Sequence, residues 1–174
     1  MKEDMLYDGD DVNWYGVGQF KATSGLVVGA DSYQNSDYET VSNAGPIPEG
    51  IYTLLLKVAG TAKVMADGNL DKKQGIQSLD DMTGPQPGVF YEAPEWGHNR
   101  VRLNNVAIFN PKARHRGGFY LHDSSKGYTH GCIEVETRFF TRLREAAADG
   151  KRRQLVLKVD YPGKHTSTYG GTKA

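Results

Sequence analysis

The chain has 174 residues, and its 21 Lys and Arg residues balance its 21 Asp and Glu residues, so the formal net charge at pH 7 is zero. This balance argues against a dedicated nucleic-acid-binding protein, and no apolar run approaches the roughly 18 residues that span a bilayer. The single cysteine, Cys132, excludes an internal disulfide framework and any zinc site built from several cysteines.

The first half of the chain is predicted to form short strands joined by turns. Residues 4–7, 12–15 and 19–23 are rich in strand-forming residues and are separated by glycines, which indicates an antiparallel meander. The turn sequence Gly-Pro-Ile-Pro-Glu-Gly at 45–50 leads into residues 51–56, which have the apolar character of a buried strand.

The second half is predicted to add strands and one helix. The strands are expected at 101–103, 106–109, 117–122, 132–135 and 154–159. Thr137 is expected to cap a helix that stops at Gly150, with Phe139 and Leu143 in its apolar stripe. The chain is therefore expected to be a mainly β single domain over residues 1–160, with one clear α-helix after the cysteine.

Two stretches lack hydrophobic periodicity. Residues 60–98 are rich in Gly, Pro and Asp, so we expect a long irregular insertion, in which Trp96 and His98 could form a substrate lid. Residues 161–174 are polar and rich in Gly and Thr, so we expect a flexible C-terminal tail.

The segment from His122 to Cys132 holds the residues best suited to chemistry. A predicted strand ends at His122, and a short loop returns the chain to Cys132. A cysteine nucleophile needs a base that takes its proton and donors that hold the oxyanion. Gly131 leaves room for a substrate carbonyl beside backbone N–H groups, and His130 is a further oxyanion candidate. If His122 and Cys132 form an ion pair, the pKa of the thiol falls below its usual value of about 8.5.

Each of these residues also has a purely structural interpretation. A lone cysteine is most often a packed apolar side chain, and a histidine at a strand end can belong to the core. Asp123 could orient His122 or cap the loop, and His130 could donate to an oxyanion or only shape the loop. Arg116 could bind a carboxylate through the two-pronged geometry of its guanidinium, or lie at a solvated surface.

Four consecutive residues, Thr129-His130-Gly131-Cys132, match the (Ser/Thr)-His-Gly-Cys motif of the L,D-transpeptidases, the YkuD-like enzymes of peptidoglycan. The stretch 45–52 resembles the Gly-Pro-x-Pro-x-Gly-x-Tyr segment of that family, and His122 matches its second motif. The short spacing between His122 and Cys132, and the lead-in from Arg116, are most similar to L,D-transpeptidase-like toxins delivered by type VI secretion. The resemblance implies a β-sandwich or mixed-sheet catalytic domain.

The resemblance implies a peptidoglycan-modifying cysteine enzyme that acts on tetrapeptide stems. Cys132 would attack the carbonyl of the third stem residue, and His122 would take the thiol proton and return it to the departing D-residue. The thioester would pass to water, as in an L,D-carboxypeptidase, or to an amine, as in an L,D-transpeptidase that exchanges D-amino acids or makes crosslinks. His130 would be a third catalytic residue. The residues implied in substrate binding are Arg116, Asp123, Thr129 and Gly131.

The resemblance also implies a biological setting. The acidic start of the chain, 1–5, is not a secretory signal, so we expect a protein made in the cytoplasm and secreted to act in the periplasm of a target bacterium. The expected partners are peptidoglycan stem peptides, an immunity protein and a component of the secretion apparatus. Nucleic acid, membrane insertion, metal and cofactor are not expected.

Two other classes of protein stay open. One is another cysteine or metal-dependent peptidoglycan peptidase, in which zinc ligands would be drawn from His115, His122, Asp123, His130 and Cys132. An amidase of the NlpC/P60 type would need a histidine after the cysteine, where the sequence has only His165. The other class is a wall-binding module without catalytic activity.

Overall fold

The computed structural model describes residues 1–174 and contains thirteen β-strands, one α-helix and two short 3₁₀ helices. The strands are β1 (Met5–Tyr7), β2 (Asp11–Trp14), β3 (Gly18–Ser24), β4 (Val27–Val28), β5 (Asp31–Ser32), β6 (Gly50–Leu55), β7 (Val58–Lys63), β8 (Ile76–Thr83), β9 (Asn99–Arg102), β10 (Asn104–Ile108), β11 (Tyr120–His122), β12 (Ile133–Val135) and β13 (Gln154–Val159). Helix α1 spans Thr137–Asp149, and the 3₁₀ helices span Ser36–Tyr38 and Pro111–Ala113. Strands make up 37% and helices 11% of the residues, which confirms the predicted mainly β class with one clear helix.

Eleven of the strands form one continuous sheet, in the order β10-β6-β13-β1-β2-β3-β12-β11-β9-β8-β7, and β4 and β5 form a separate hairpin. β3 joins the two halves of the large sheet, because residues 18–21 pair with β2 and residues 22–24 pair with β12. Buried side chains from both halves meet in a single cluster of 26 residues that includes Tyr7, Leu54 and Leu121. One hydrophobic core therefore serves both halves of the sheet.

The half of the sheet that contains β8, β9, β11 and β12 has an apolar face and a polar face. β11 runs parallel to β12 and antiparallel to β9, so the fully buried side chains of Leu121, Ile133 and Val101 lie side by side. Because side chains alternate along a strand, their sequence neighbours point to the other face. This opposite side, named the polar face below, carries Gln77, Arg100, Arg102, Tyr120, His122, Cys132 and Glu134.

Helix α1 packs against the sheet through the apolar stripe that its periodicity predicts. Phe139, Phe140 and Leu143 are buried, and the ring of Phe139 meets that of Phe20 edge-on, with 5.3 Å between centroids. Edge-to-face pairs of this kind stabilise a core beyond the burial of their area. No helix in the structure combines the length and apolar character needed to cross a membrane.

The two ends of α1 test the predicted caps. Gly150 ends the helix in a left-handed conformation (φ +67°), as glycine at that position predicts. The predicted N-cap is wrong by one residue, because Glu136 precedes the helix and Thr137 is its first residue. Glu136 makes no capping bond to the helix backbone, since its carboxylate accepts hydrogen bonds from the backbone N–H of Lys21 on β3 and from the side chain of Arg138.

The predicted irregular insertion, 60–98, contains regular structure. Most of β7 and all of β8 lie within it, and they pair in parallel at the edge of the sheet. They build a small second core in which Ala62, Leu79 and Met82 are buried and Trp96 packs against them. β7 shows no strand pattern in the sequence because it is an edge strand whose only fully buried residue is Ala62.

The segment predicted to be a flexible tail, 161–174, is instead packed against the body of the domain. Thr168 is fully buried, and its carbonyl accepts a hydrogen bond from the backbone N–H of Ser24 on β3 (2.9 Å). Further along, Thr172 Oγ1 donates to Glu134 Oε1 on the polar face (2.5 Å). The polar groups that suggested mobility therefore have partners, and the domain extends beyond residue 160.

Candidate active site

Cys132 and His122 line one cavity of about 540 Å³ on the polar face. Parallel pairing of β11 with β12 sets His122 opposite Glu134 and brings Cys132, just before β12, alongside Tyr120. The cavity is bounded by Pro94, Glu95, Trp96, His122, Lys126, Tyr128, Thr129, His130 and Cys132. The loop between the two strands thus brings together the two residues that the sequence singles out.

A hydrogen-bond chain fixes the tautomer of His122. Its Nδ1 lies 3.0 Å from Ser124 Oγ, and the Ser124 hydroxyl donates its proton to Glu134 Oε2. Because that hydroxyl has a single proton, it must accept the Nδ1–H of His122. The lone pair of Nε2 is therefore the one free to accept another proton.

His122 is neutral in the folded protein. The imidazole is only 2% exposed, and this burial, with the nearby positive charge of Lys126, lowers the pKa of His122 to about 3, although a hydrogen bond to the Trp96 backbone acts in the opposite direction. The Trp96 ring covers the imidazole edge-on at 5.2 Å between centroids, which keeps water away from it. A neutral imidazole at physiological pH is the form that acts as a base.

Glu134 anchors this chain and was not predicted as a site residue. It is fully buried, and besides Ser124 and Thr172 its carboxylate accepts the backbone N–H groups of Lys126 (3.2 Å) and Gly127 (2.8 Å). The alternation of β12 points to it, because Glu134 lies two residues after Cys132 and so shares its face. Ser124 was missed because nothing in its local sequence distinguishes it from a loop serine.

The thiol of Cys132 differs from the predicted thiolate. Burial raises the pKa of Cys132 to about 11, although the backbone N–H of Tyr120 and the charges of Arg100, Lys126 and Arg116 act in the opposite direction. No hydrogen bond joins the thiol to His122, so the ion pair that would have lowered the pKa is not the resting state. A neutral thiol faces a neutral base, and proton transfer must accompany nucleophilic attack.

Thr129 and Gly131 shape the turn that presents Cys132. Thr129 Oγ1 donates to the carbonyl of Cys132 (2.6 Å) and accepts the N–H groups of Gly131 and Gly25 (both 3.1 Å). Gly131 has φ +133°, and a Cβ there would lie 2.5 Å from Arg116 Nη2. Both were predicted to bind substrate. Both line a cavity beside Cys132, but their polar groups are used within the turn.

The backbone offers an oxyanion donor other than Gly131. The N–H of Gly131 is bonded to Thr129, whereas the N–H groups of His130 and Cys132 have no partner within the chain. The exposed His130 ring donates from Nδ1 to the carbonyl of Asn43 (3.0 Å), which leaves its Nε2 available. His130 and Cys132 line both the large cavity and a second one of about 360 Å³, so the thiol lies between two cavities.

The geometry of Arg116 differs from the predicted carboxylate clamp. The residue is 6% exposed, and its guanidinium donates to the carbonyls of Glu39, Gly45 and Pro46 at 2.6–3.0 Å. A substrate carboxylate would have to compete with these bonds. Arg116 therefore ties the Gly-Pro turn at 45–46 to the loop that carries Cys132.

Asp123, which was predicted to contact substrate, uses its carboxylate within the fold. Its carboxylate accepts the N–H groups of His98 and Asn99 (both 2.7 Å) and the side-chain amide of Asn99 (2.9 Å). Of the two possible lid residues, Trp96 walls the large cavity, whereas His98 is exposed and bonded to Asp80 (2.7 Å). Asp123 therefore holds the segment that positions Trp96.

Neither alternative site gains support from the geometry. No group of three His, Cys, Asp or Glu side chains is arranged to hold a metal ion. His165, the one histidine after the cysteine, is bonded to Asp37 on the exposed surface.

No protein-family model matches the chain, and no curated protein is significantly similar to it in sequence. The motifs and the geometry of this site are therefore the features that bear on function.

Proposed function

We propose that this protein is a cysteine acyltransferase that cleaves peptidoglycan tetrapeptide stems, as an L,D-carboxypeptidase, an L,D-transpeptidase that exchanges D-amino acids, or both. The observation that carries the proposal is the pairing, in one cavity, of the only thiol with a buried neutral histidine whose Nδ1 is bonded to Ser124. The substrate class comes from the resemblance of 129–132 to the L,D-transpeptidase motif.

The site is suited to a two-step acyl transfer. As Cys132 Sγ attacks the carbonyl of the third stem residue, His122 Nε2 takes the thiol proton, and the negative charge moves to the carbonyl oxygen. The Cys132 N–H and the positive charges of Arg100 and Lys126 stabilise that oxyanion. The carbon–nitrogen bond then breaks, and the imidazolium returns the proton to the departing amine, which leaves a thioester.

The second step regenerates the enzyme. Water or the amine of a D-amino acid attacks the thioester, His122 takes a proton from it, and the Cys132 thiolate leaves and is reprotonated. The two cavities on either side of Cys132 give the acyl donor and the acceptor separate approaches. We further propose, from the resemblance, that the protein is an antibacterial effector delivered by type VI secretion, with an immunity protein as partner.

The test is incubation of the protein with purified muropeptides, followed by mass spectrometry of the products. Tetrapeptide stems should lose their terminal D-alanine, or exchange it when another D-amino acid is added, and pentapeptide stems should stay intact. Cys132→Ala should be folded and inactive, since it removes one sulfur atom from a cavity wall. Unchanged tetrapeptides with the wild-type protein, or turnover by Cys132→Ala, would rule out this mechanism.

A further inference from the structure

A cavity of about 570 Å³ adjoins the reaction cavity, and the proposed mechanism uses only the charge of Arg100 from its polar lining. The two share Glu95 and Trp96, and Tyr120 contributes to the new one from the strand that also carries His122. Its floor is formed on the polar face by Arg100, Arg102 and Tyr120, because β9 pairs with β11 so that Arg102 lies opposite Tyr120. We call these three residues the cationic floor.

The cationic floor has polar groups that the fold leaves without partners. The side chain of Arg102 makes no hydrogen bond and no ion pair, and its Nε is a buried donor without an acceptor. The hydroxyl of Tyr120, whose side chain is 5% exposed, is the other buried polar atom without a partner. These are the only two such side-chain atoms in the chain, and both belong to this cavity. Unpaired buried polar groups destabilise a fold, so they indicate a ligand that pairs with them.

The charge of the floor defines the ligand. Arg100 is 2% exposed and held in place by bonds from Nε to Gln77 (2.8 Å) and from Nη2 to the carbonyl of Asp71 (2.6 Å). It forms no ion pair with a carboxylate of the chain. The acidic residues at this cavity, Glu92 and Glu95, are exposed and so lie at its rim. Arg100 is buried and Arg102 is partly buried, and the absence of a counter-ion for either guanidinium favours an anion.

We propose that the cationic floor binds a carboxylate of the substrate. A carboxylate offers two oxygens in one plane, which match the guanidinium of Arg102, and it can accept the Tyr120 hydroxyl. The β11–β12 pairing sets Tyr120 alongside Cys132, and the backbone N–H of Tyr120 lowers the pKa of the thiol, so a group held here lies beside the attacking residue. This assignment rests on the proposed function for the identity of the substrate, and it gives Arg102 the role that the sequence suggested for Arg116.

Binding of a simple carboxylate tests the floor without any assumption about the reaction. Acetate added to the wild-type protein should shift the Arg102 Nε–H resonance in ¹H–¹⁵N spectra along a saturable curve. Tyr120→Phe should weaken that binding without loss of thermal stability, because the hydroxyl it removes has no partner in the fold. An Arg102 resonance that does not move, or that follows ionic strength as an exposed arginine does, would overturn the assignment.

Stem peptides then distinguish the two carboxylates that could bind, the C-terminal carboxylate and the side-chain carboxylate of diaminopimelate. Calorimetry on Cys132→Ala would compare a diaminopimelate tetrapeptide with its C-terminal amide and with a lysine-containing analogue that lacks the side-chain carboxylate. One of the two analogues should bind roughly ten- to a hundredfold more weakly. Adding Arg102→Met to Cys132→Ala should weaken binding of the parent tetrapeptide by a similar factor. It should leave the affinity for the more weakly bound analogue unchanged, as expected for a direct contact.

A control variant and distinct negative results separate failure of the carboxylate site from failure of the proposed function. Arg153→Ala removes an exposed guanidinium remote from the cavity and should change none of these affinities. Equal binding of all three peptides, or an equal effect of Arg102→Met on all of them, would refute the carboxylate contact. Saturable acetate binding without any binding of stem peptides would refute the proposed function and leave the anion site standing.

Discussion

Replacing Glu134 by glutamine should reverse the proton arrangement at His122. A carboxylate accepts from all sides. Glu134 accepts the Ser124 hydroxyl and the Lys126 N–H at Oε2, and the Gly127 N–H and the Thr172 hydroxyl at Oε1. A glutamine must turn its NH₂ towards one of the two backbone N–H groups. The Gly127 contact is the closer, at 2.8 Å against 3.2 Å for Lys126, so the NH₂ should take the Oε2 position.

In that orientation the amide donates to Ser124, and the Ser124 hydroxyl must donate to His122 Nδ1. The imidazole proton then moves to Nε2, which can no longer take the thiol proton. We expect kcat on tetrapeptide stems to fall by about 10²- to 10⁴-fold, the contribution of a working general base. Stability should fall by about 1–3 kcal/mol, because the NH₂ faces the N–H of Lys126 in a buried place. ¹⁵N shifts of the His122 ring report the tautomer directly.

Two further variants serve this test, one as a matched control and one as a substitute if Glu134→Gln does not fold. Glu145→Gln changes an exposed glutamate that is paired with Arg142 on α1, and it should leave kcat and the His122 tautomer unchanged. If Glu134→Gln does not fold, Ser124→Ala still removes the partner of His122 Nδ1. A folded Glu134→Gln protein with wild-type kcat, or with Nδ1 still protonated, would refute the role of the Ser124–Glu134 chain.

Three more outcomes follow from the site. Alkylation of Cys132 by iodoacetamide should accelerate steadily from about pH 7 to about pH 10. With a pKa near 11, the thiolate fraction rises roughly tenfold per pH unit over this range. Labelling rates that level off below about pH 8 would contradict the raised pKa. Gly131→Ala should lower the free energy of unfolding by about 1–3 kcal/mol in denaturant titrations, because φ at this residue is +133° and the new Cβ would clash with Arg116. A variant with wild-type stability would show that the turn relaxes around the new side chain. Arg116→Lys should lower stability by about 1–3 kcal/mol with little change in KM, because a single ammonium nitrogen cannot take the places of both Nη1 and Nη2. A raised KM at unchanged stability would restore the predicted carboxylate clamp.

The sequence predicts the central strands and the helix better than the periphery. β6, β13 and α1 have apolar patterns because they are buried against the main core, and each lies where its pattern predicts. β7 and the segment 161–174 are stabilised by backbone and hydroxyl hydrogen bonds to distant parts of the chain. Such bonds leave no hydrophobic period in the sequence, so both stretches were predicted to be irregular.

The candidate site divides in a similar way. Cys132 and His122 could be found from motif and spacing, because their chemistry needs those residue types. The partners of His122 could not, since Ser124 and Glu134 meet only when β11 lies parallel to β12. The sequence also suggests a free guanidinium at Arg116, whereas the folded turn at 45–46 takes up its donors.

The register between β11 and β12 is the feature on which the whole site depends. Leu121 opposite Ile133 puts two apolar side chains into the core, and the same pairing puts His122, Cys132 and Glu134 on the polar face. A slip by one residue would bury the thiol and the carboxylate in the main core and expose the two apolar residues. Burial of Leu121 and Ile133 therefore stabilises the same register that aligns the nucleophile, the base and its anchor. Catalytic geometry and core packing are specified here by one alternation of side chains across two short strands.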